Sequence, residues 1–189
     1  MRERVKEIIL ESIQVKEGLL KADVSAILRI SELIIESLKK GGKLIIFGNG
    51  GSASDAQHIA AELVGRFKKD RPALPAIALT TNTSIITAIA NDFGYEVVFA
   101  RQIEALAGKL DIALGISTSG KAKNVALGIK QAKKMGLKTI ALTGGDGGEI
   151  TKLADISLVV PSGVTARIQE AHILIGHIIC ELIEEAIPA

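Results

Sequence analysis

Apolar residues recur at helical spacing through the first forty positions. Val5, Ile8, Ile9 and Ile13 form one set and Val24, Ile27, Leu28, Ile34 and Leu38 a second. Each set lines one face of a 3.6-residue repeat. Gly18 lies between the sets and Gly41-Gly42 follows the second, so the pattern predicts two helices, parted near Gly18, before any strand. Beyond Gly42 the period changes. Five short runs, 43–47, 75–79, 111–116, 138–142 and 156–160, are mostly continuous in apolar character rather than alternating, as expected of strands covered on both faces. Helical patterns fill the intervals at 54–66, 84–90, 97–107, 122–135 and 149–153, and a long one closes the chain at 165–186. Strand and helix alternate. This predicts an α/β fold with a five-stranded parallel sheet, helices on both faces and right-handed crossovers.

In the last helical pattern, Ile168, Ile173, Leu174, Ile175, Ile178, Ile179, Leu182 and Ile183 do not fit one narrow stripe. A helix apolar on several sides must be buried on several sides. In a chain of 189 residues the expected cover is a subunit interface, so a homo-oligomer is expected, with the N-terminal helices of residues 1–40 joining it.

The length suits one domain over residues 1–189, and no linker, repeat or low-complexity segment divides it. A formal charge of +2 argues against a nucleic-acid or membrane-surface partner. The charged start Met1-Arg2-Glu3-Arg4-Val5-Lys6 lacks the apolar core of a signal peptide. His172, His177 and Glu181 interrupt the C-terminal apolar stretch, leaving it short of the ~20 residues of a membrane span. Lone Cys180 sits among apolar neighbours and reads as a small buried hydrophobe. With no partner for an intrachain disulfide, the expected compartment is the reducing cytoplasm.

The segments that follow the strands carry the candidate chemistry, because parallel sheets bind ligands beyond the carboxyl ends of their strands. After the first strand comes Gly48-Asn49-Gly50-Gly51-Ser52-Ala53-Ser54-Asp55. Its glycines admit close backbone approach and the following helix start favours an anion, while Ser52 and Asp55 also read as a capping box. The dinucleotide fingerprint is met only formally. Where an acidic ribose ligand belongs, the chain has Thr80-Thr81-Asn82-Thr83, which argues against a nicotinamide cofactor. After the third strand, Ser117-Thr118-Ser119-Gly120 offers three hydroxyls and backbone N–H groups suited to a phosphate monoester. It lacks the Gly-Lys-Ser/Thr ending of a nucleotide-binding loop. Residues 143–148 are expected to form a tight turn and nothing more. His58 and Glu62 share one helix face at i, i+4, a spacing that suits a metal or an acid–base pair but is most often a surface contact. Gln169 and His177, eight apart on the last helix, differ in direction by about 80° and can converge on one side. His172 points away and reads as structural or interfacial.

Taken together these segments resemble the phosphoheptose isomerase branch of the SIS (sugar isomerase) family. The matching stretches are Gly48-Asn49-Gly50-Gly51-Ser52 with Asp55, His58 and Glu62; Gly65-Arg66; Arg71-Pro72; Asn91-Asp92-Phe93-Gly94; Ser117-Thr118-Ser119-Gly120 with Asn124; and Arg167-Ile168-Gln169-Glu170 with His172 and His177. The resemblance implies a flavodoxin-like three-layer α/β/α sandwich assembled as a homotetramer. It also implies interconversion of sedoheptulose 7-phosphate and D-glycero-D-manno-heptose 7-phosphate by enediol chemistry, the opening step toward nucleotide-activated heptose. Glu62 would be the general base and His177 its acid–base partner. Ser117, Thr118 and Ser119 would hold the phosphate. Asn49, Gly50, Gly51, Ser52, Asn91, Asp92 and Gln169 would contact the substrate. One zinc per subunit would be bound by His58, Glu62, Gln169 and His177. Ala122 and Ala166 stand where some members carry a serine and an aspartate, with Lys121 and Lys123 flanking the first. A non-catalytic relative that associates with the replication initiator shares the fold. Its equivalents of Glu62 and His177 are unsuited to proton transfer, so both residues being present here favours an enzyme.

Overall fold

The computed structural model describes residues 1–21 and 24–187. Its elements, in order, are α1 (Arg2–Lys21), α2 (Ser25–Lys39), β1 (Leu44–Gly48), α3 (Gly51–Val64), β2 (Ala76–Ala78), α4 (Thr83–Phe93), a 3₁₀ turn at Tyr95–Val97, α5 (Val98–Leu106), β3 (Ile112–Ser117), α6 (Lys123–Lys134), β4 (Lys138–Gly144), α7 (Ile150–Leu153), β5 (Ile156–Val160) and α8 (Thr165–Ala186). The five strands are all parallel in the order β2-β1-β3-β4-β5.

Successive side chains of a strand point to opposite faces, and here they feed two separate cores. Leu44, Ile46, Ile112, Leu114 and Ile116 pack under α2, α3 and α8. Ile45, Phe47, Ala113 and Ala141 pack under α5, α6 and α7. This double cover is why the runs read as continuously apolar. Every residue of β1 and β3 is buried, while the short edge strand β2 is only partly covered.

Two expectations at the helical ends change. The first helix continues through Gly18 to Lys21, because one glycine costs a helix only about 1 kcal/mol and the helix-forming residues on either side outweigh it. The broad apolar surface of α8 is covered largely by its own chain, through α2, α3, α1 and the sheet. The uncovered apolar faces lie elsewhere. No residue of α1 is buried, with Val5, Ile9, Leu10 and Ile13 exposed. No residue of α4 is buried either, with Ile85 and Phe93 exposed. Cys180 is buried, and burial pushes its thiol up to about 12, so it is unreactive. Among the described residues no helix is long and apolar enough to cross a membrane.

Candidate active site

The strand order reverses between β1 and β3, which opens a crevice between the loops that leave them. A pair of amides bridges it. Asn49 Nδ2 donates to Asn124 Oδ1 and Asn124 Nδ2 donates to Asn49 Oδ1, each at 2.8 Å. The Tyr95 hydroxyl donates to the same Asn49 oxygen at 3.2 Å. The Asn49 side chain is therefore engaged at both polar ends, and what this loop offers a ligand is chiefly backbone. Gly50 supplies the turn with φ +55° and ψ −123°, a conformation costly for any residue with a Cβ. Tyr95 and Asn124 carry no chemical signature of their own. Asn124 is marked by the family resemblance, and Tyr95 only by its adjacency to Asn91-Asp92-Phe93-Gly94.

The expected capping box does not form. The helix begins at Gly51, so Ser52 is already its second residue and no side chain caps it. Asp55 is buried with Oδ2 unpartnered. Burial pushes its carboxyl up to about 6, against the opposing charge of His58.

Across the crevice, the Gly120 N–H donates to the Ser117 carbonyl at 3.0 Å and closes a turn. Ser117 is buried, Thr118 half-buried and Ser119 exposed. Helix α6 starts after Ala122 without a side-chain cap, so the hydroxyls are not spent as caps. Only Ser119 Oγ accepts a nearby N–H, from Lys121 at 3.2 Å. Residues 143–148 prove to be more than a turn, because they back this loop. The Ile150 N–H donates to the Gly120 carbonyl at 3.1 Å, and a Cβ on Gly120 would collide with the Gly147 carbonyl. His172, fully buried, donates from Nε2 to the Thr143 carbonyl at 3.0 Å. Burial pulls its pKa down, partly offset by that bond, so the ring stays neutral and structural. Lys121 and Lys123 pair with Asp146 and Glu96.

Helices α3 and α8 run side by side in the same direction. The Gln169 amide lies against Gly51, where a Cβ would collide with it, and Gly176 meets Ile59. His177 meets His58 one helical position further on. His58 Nε2 lies 3.1 Å from Glu62 Oε1 and 3.1 Å from His177 Nε2. The three side chains each present a ligand atom within 4.8 Å of the others. Lone-pair atoms this close require a proton or a cation among them. Neighbouring donors on a four-coordinate cation with bonds of ~2.0–2.1 Å lie about 3.3 Å apart, so two imidazole nitrogens and a carboxylate oxygen at this spacing fit one. Glu62 and His177, 115 positions apart in the chain, thus meet within a single subunit. Gln169, on α8 one turn into the helix, has its amide against Gly51 at the head of α3. Asn91 and Asp92 are exposed on α4 and bond to each other at 2.8 Å, and neither bonds to a crevice residue.

Just beyond the cluster, an ion pair joins the loop that follows α3 to α8. Arg71 and Glu184 side chains are 1% and 2% exposed, with Nε 3.1 Å from Oε1. Burial alone would raise the Glu184 carboxyl. Hydrogen bonds from the N–H groups of Lys68, Phe67 and Lys69, together with the Arg71 charge, hold it below the usual range.

A SIS domain family model matches residues 9–144. The chain is 53% identical to a phosphoheptose isomerase of Aquifex aeolicus over 187 residues, covering 99% of this chain and 98% of that one. Two solved structures share the fold closely. A phosphoheptose isomerase of Neisseria gonorrhoeae is 44% identical with a TM-score of 0.93, covering 97% of this chain and 98% of that one. One of Francisella tularensis is 39% identical with a TM-score of 0.94, covering 97% of each.

Proposed function

The chain belongs to the SIS domain family, within its phosphoheptose isomerase branch, and from that premise we propose that Glu62 and His177 move protons on a sugar phosphate lying in the crevice. The reaction is the interconversion of sedoheptulose 7-phosphate and D-glycero-D-manno-heptose 7-phosphate, a first step toward ADP- or GDP-heptose precursors.

The observation that carries the assignment is the convergence of Glu62 and His177 on either side of His58, each 3.1 Å from its Nε2. Aldose–ketose isomerisation moves one proton between adjacent carbons and another between their oxygens, through an enediol. The Glu62 carboxylate takes the proton from the carbon beside the carbonyl and returns it to the neighbouring carbon. The His177 imidazole carries the oxygen-bound proton, since one ring nitrogen can donate while the other accepts. The serine loop, with three hydroxyls and an uncapped helix start, suits the phosphate. Gly51 and Ser52 stand seven and six residues before His58 on α3, about 10 Å of helix rise, and with Gly50 and the Gln169 amide would contact the sugar. Asn49 would contact the sugar through its backbone, and Asn91 and Asp92 would do so from a neighbouring subunit.

His58, Glu62 and His177 also suit one zinc per subunit through one atom each, which would leave the second Glu62 oxygen and the second His177 nitrogen for the protons. Bound there, zinc would polarise the substrate carbonyl and acidify the adjacent C–H. Gln169, whose amide lies against Gly51, would be the fourth ligand or a sugar contact. The exposed apolar faces of α1 and α4 support assembly into a homotetramer, and the single buried thiol is in keeping with the cytoplasm.

The test is turnover. Purified protein given sedoheptulose 7-phosphate should form the aldose. Prior chelation should abolish the reaction and added zinc should restore it. No aldose under any metal condition would leave the non-catalytic binding role. Full activity after exhaustive chelation would remove zinc from the reaction.

A further inference from the structure

We propose that Arg71 and Glu184 are positioning residues for this reaction: their buried ion pair fixes the spacing of the helices that carry Glu62 and His177. The inference rests on the isomerase reading above.

Arg71 comes from the loop that returns from α3 to β2. Its guanidinium satisfies the open carboxyl end of α3, where the last carbonyls have no intrahelical partner. Nη2 donates to the backbone carbonyl of Glu62 itself at 2.9 Å, and Nη1 donates to Leu63 at 2.8 Å and Pro72 at 3.0 Å. The remaining donor, Nε, goes to Glu184 at 3.1 Å. Glu184 lies seven residues after His177, two turns on along nearly the same face of α8. Its two oxygens also accept the N–H groups of Phe67, Lys68 and Lys69 at 2.7, 2.9 and 3.0 Å. Phe67, held in this way, stacks its ring 5.4 Å from that of His177.

The network therefore reaches the Glu62 side through its own carbonyl and the His177 side through Phe67. A bidentate, planar cation is required, because a lysine cannot cap two carbonyls of α3 and pair with Glu184 at once. A surface pair would fix nothing, since exposed partners move with their side chains. This one is closed from water on both sides. The proton acceptor and donor must be held within a fraction of an ångström of their working geometry, and the serine loop is not part of the network.

Arg71→Lys keeps the charge opposite Glu184 and removes the fork. Its steady-state kinetics with sedoheptulose 7-phosphate are to be compared with wild type across pH 5.5–9, at matched concentrations of folded protein. We expect kcat to fall about 10- to 100-fold, the loss typical of misplacement by about an ångström. KM should change less than about twofold, and the limbs of the pH profile should shift. Glu184→Gln keeps the shape and one accepting oxygen, should show the same pattern more weakly, and carries the test if Arg71→Lys does not fold. A folded variant with wild-type kcat and pH profile, whatever its melting temperature, overturns the inference alone. A wild-type chain that does not turn over the sugar phosphate overturns the isomerase reading and this inference with it.

Discussion

His58 occupies the middle of the proposed acid–base cluster, and its neighbours would divide the work. Each of Glu62 and His177 is within 3.1 Å of it, and neither holds up the fold, since Glu62 and His177 are only half-buried. Positioned acids and bases contribute about 10²–10⁴-fold. Glu62→Gln and His177→Ala should each lower kcat by about that factor with melting temperature close to wild type. A fully active variant would remove that residue from the mechanism. Asp55 behaves differently. It is buried, its Oδ2 has no partner, and its carboxyl is raised to about 6. The folded chain thus binds this proton more tightly than the unfolded chain does. The contribution to stability is complete below the unfolded value of about 3.9 and is lost as pH rises through about 6. Asp55→Asn in chelated protein should accordingly be more stable than wild type at pH 7–8, by about 1–3 kcal/mol, with the gap closing toward pH 4. Equal melting curves at both pH values would show that the carboxylate is satisfied in the fold.

Among the elements, the loops after β3 and β4 act as one unit. Gly120 has φ +64° and its Cα faces the Gly147 carbonyl, so the serine loop keeps its shape only against that neighbour. Gly120→Ala adds left-handed strain of about 1–2 kcal/mol and a backbone collision. We expect a lower melting temperature and a KM for sugar phosphate raised at least about tenfold, with kcat at saturation far less affected. Steady-state kinetics distinguish this from a lesion at Glu62, which acts on kcat. Helices α3 and α8 form the second unit. Gly176, against Ile59, allows them to approach closely enough for His58 and His177 to meet.

For the whole molecule, α1 is the feature least explained by one chain. It contacts α8 yet buries no residue, and its apolar side remains exposed at Val5, Ile9 and Ile13. Apolar area left in water at this scale marks an interface. Light scattering should give about 80 kDa, four times the 19.9 kDa chain, in keeping with closed symmetry. Ile9→Glu should reduce that mass while the far-ultraviolet circular dichroism of the subunit persists. An unchanged mass would place the interface elsewhere, with α4 the next face to test.

All five strands and the order of strand and helix were legible in the sequence, because burial on both faces leaves an unbroken apolar run and a crossover helix leaves a 3.6-residue period. The α8 range of 165–186 and the β5 range of 156–160 were read to the residue. Boundaries set by cooperativity were not, as at Gly18, where the chain continues a helix across a weak position, and at Gly51, where α3 starts three residues before the pattern read from residue 54. The role of His58 and Glu62 was legible only as an i, i+4 pair, since a local repeat cannot say what faces it. That His177 faces it, that Gln169 lies against Gly51, that Asn124 and Tyr95 reach Asn49, and that Arg71 ties the end of α3 to α8 were decided by tertiary packing. Each depends on the register of two helices or loops distant in the chain. That register is set by the fit of their whole buried faces, a sum over many small contacts that no short segment of sequence encodes.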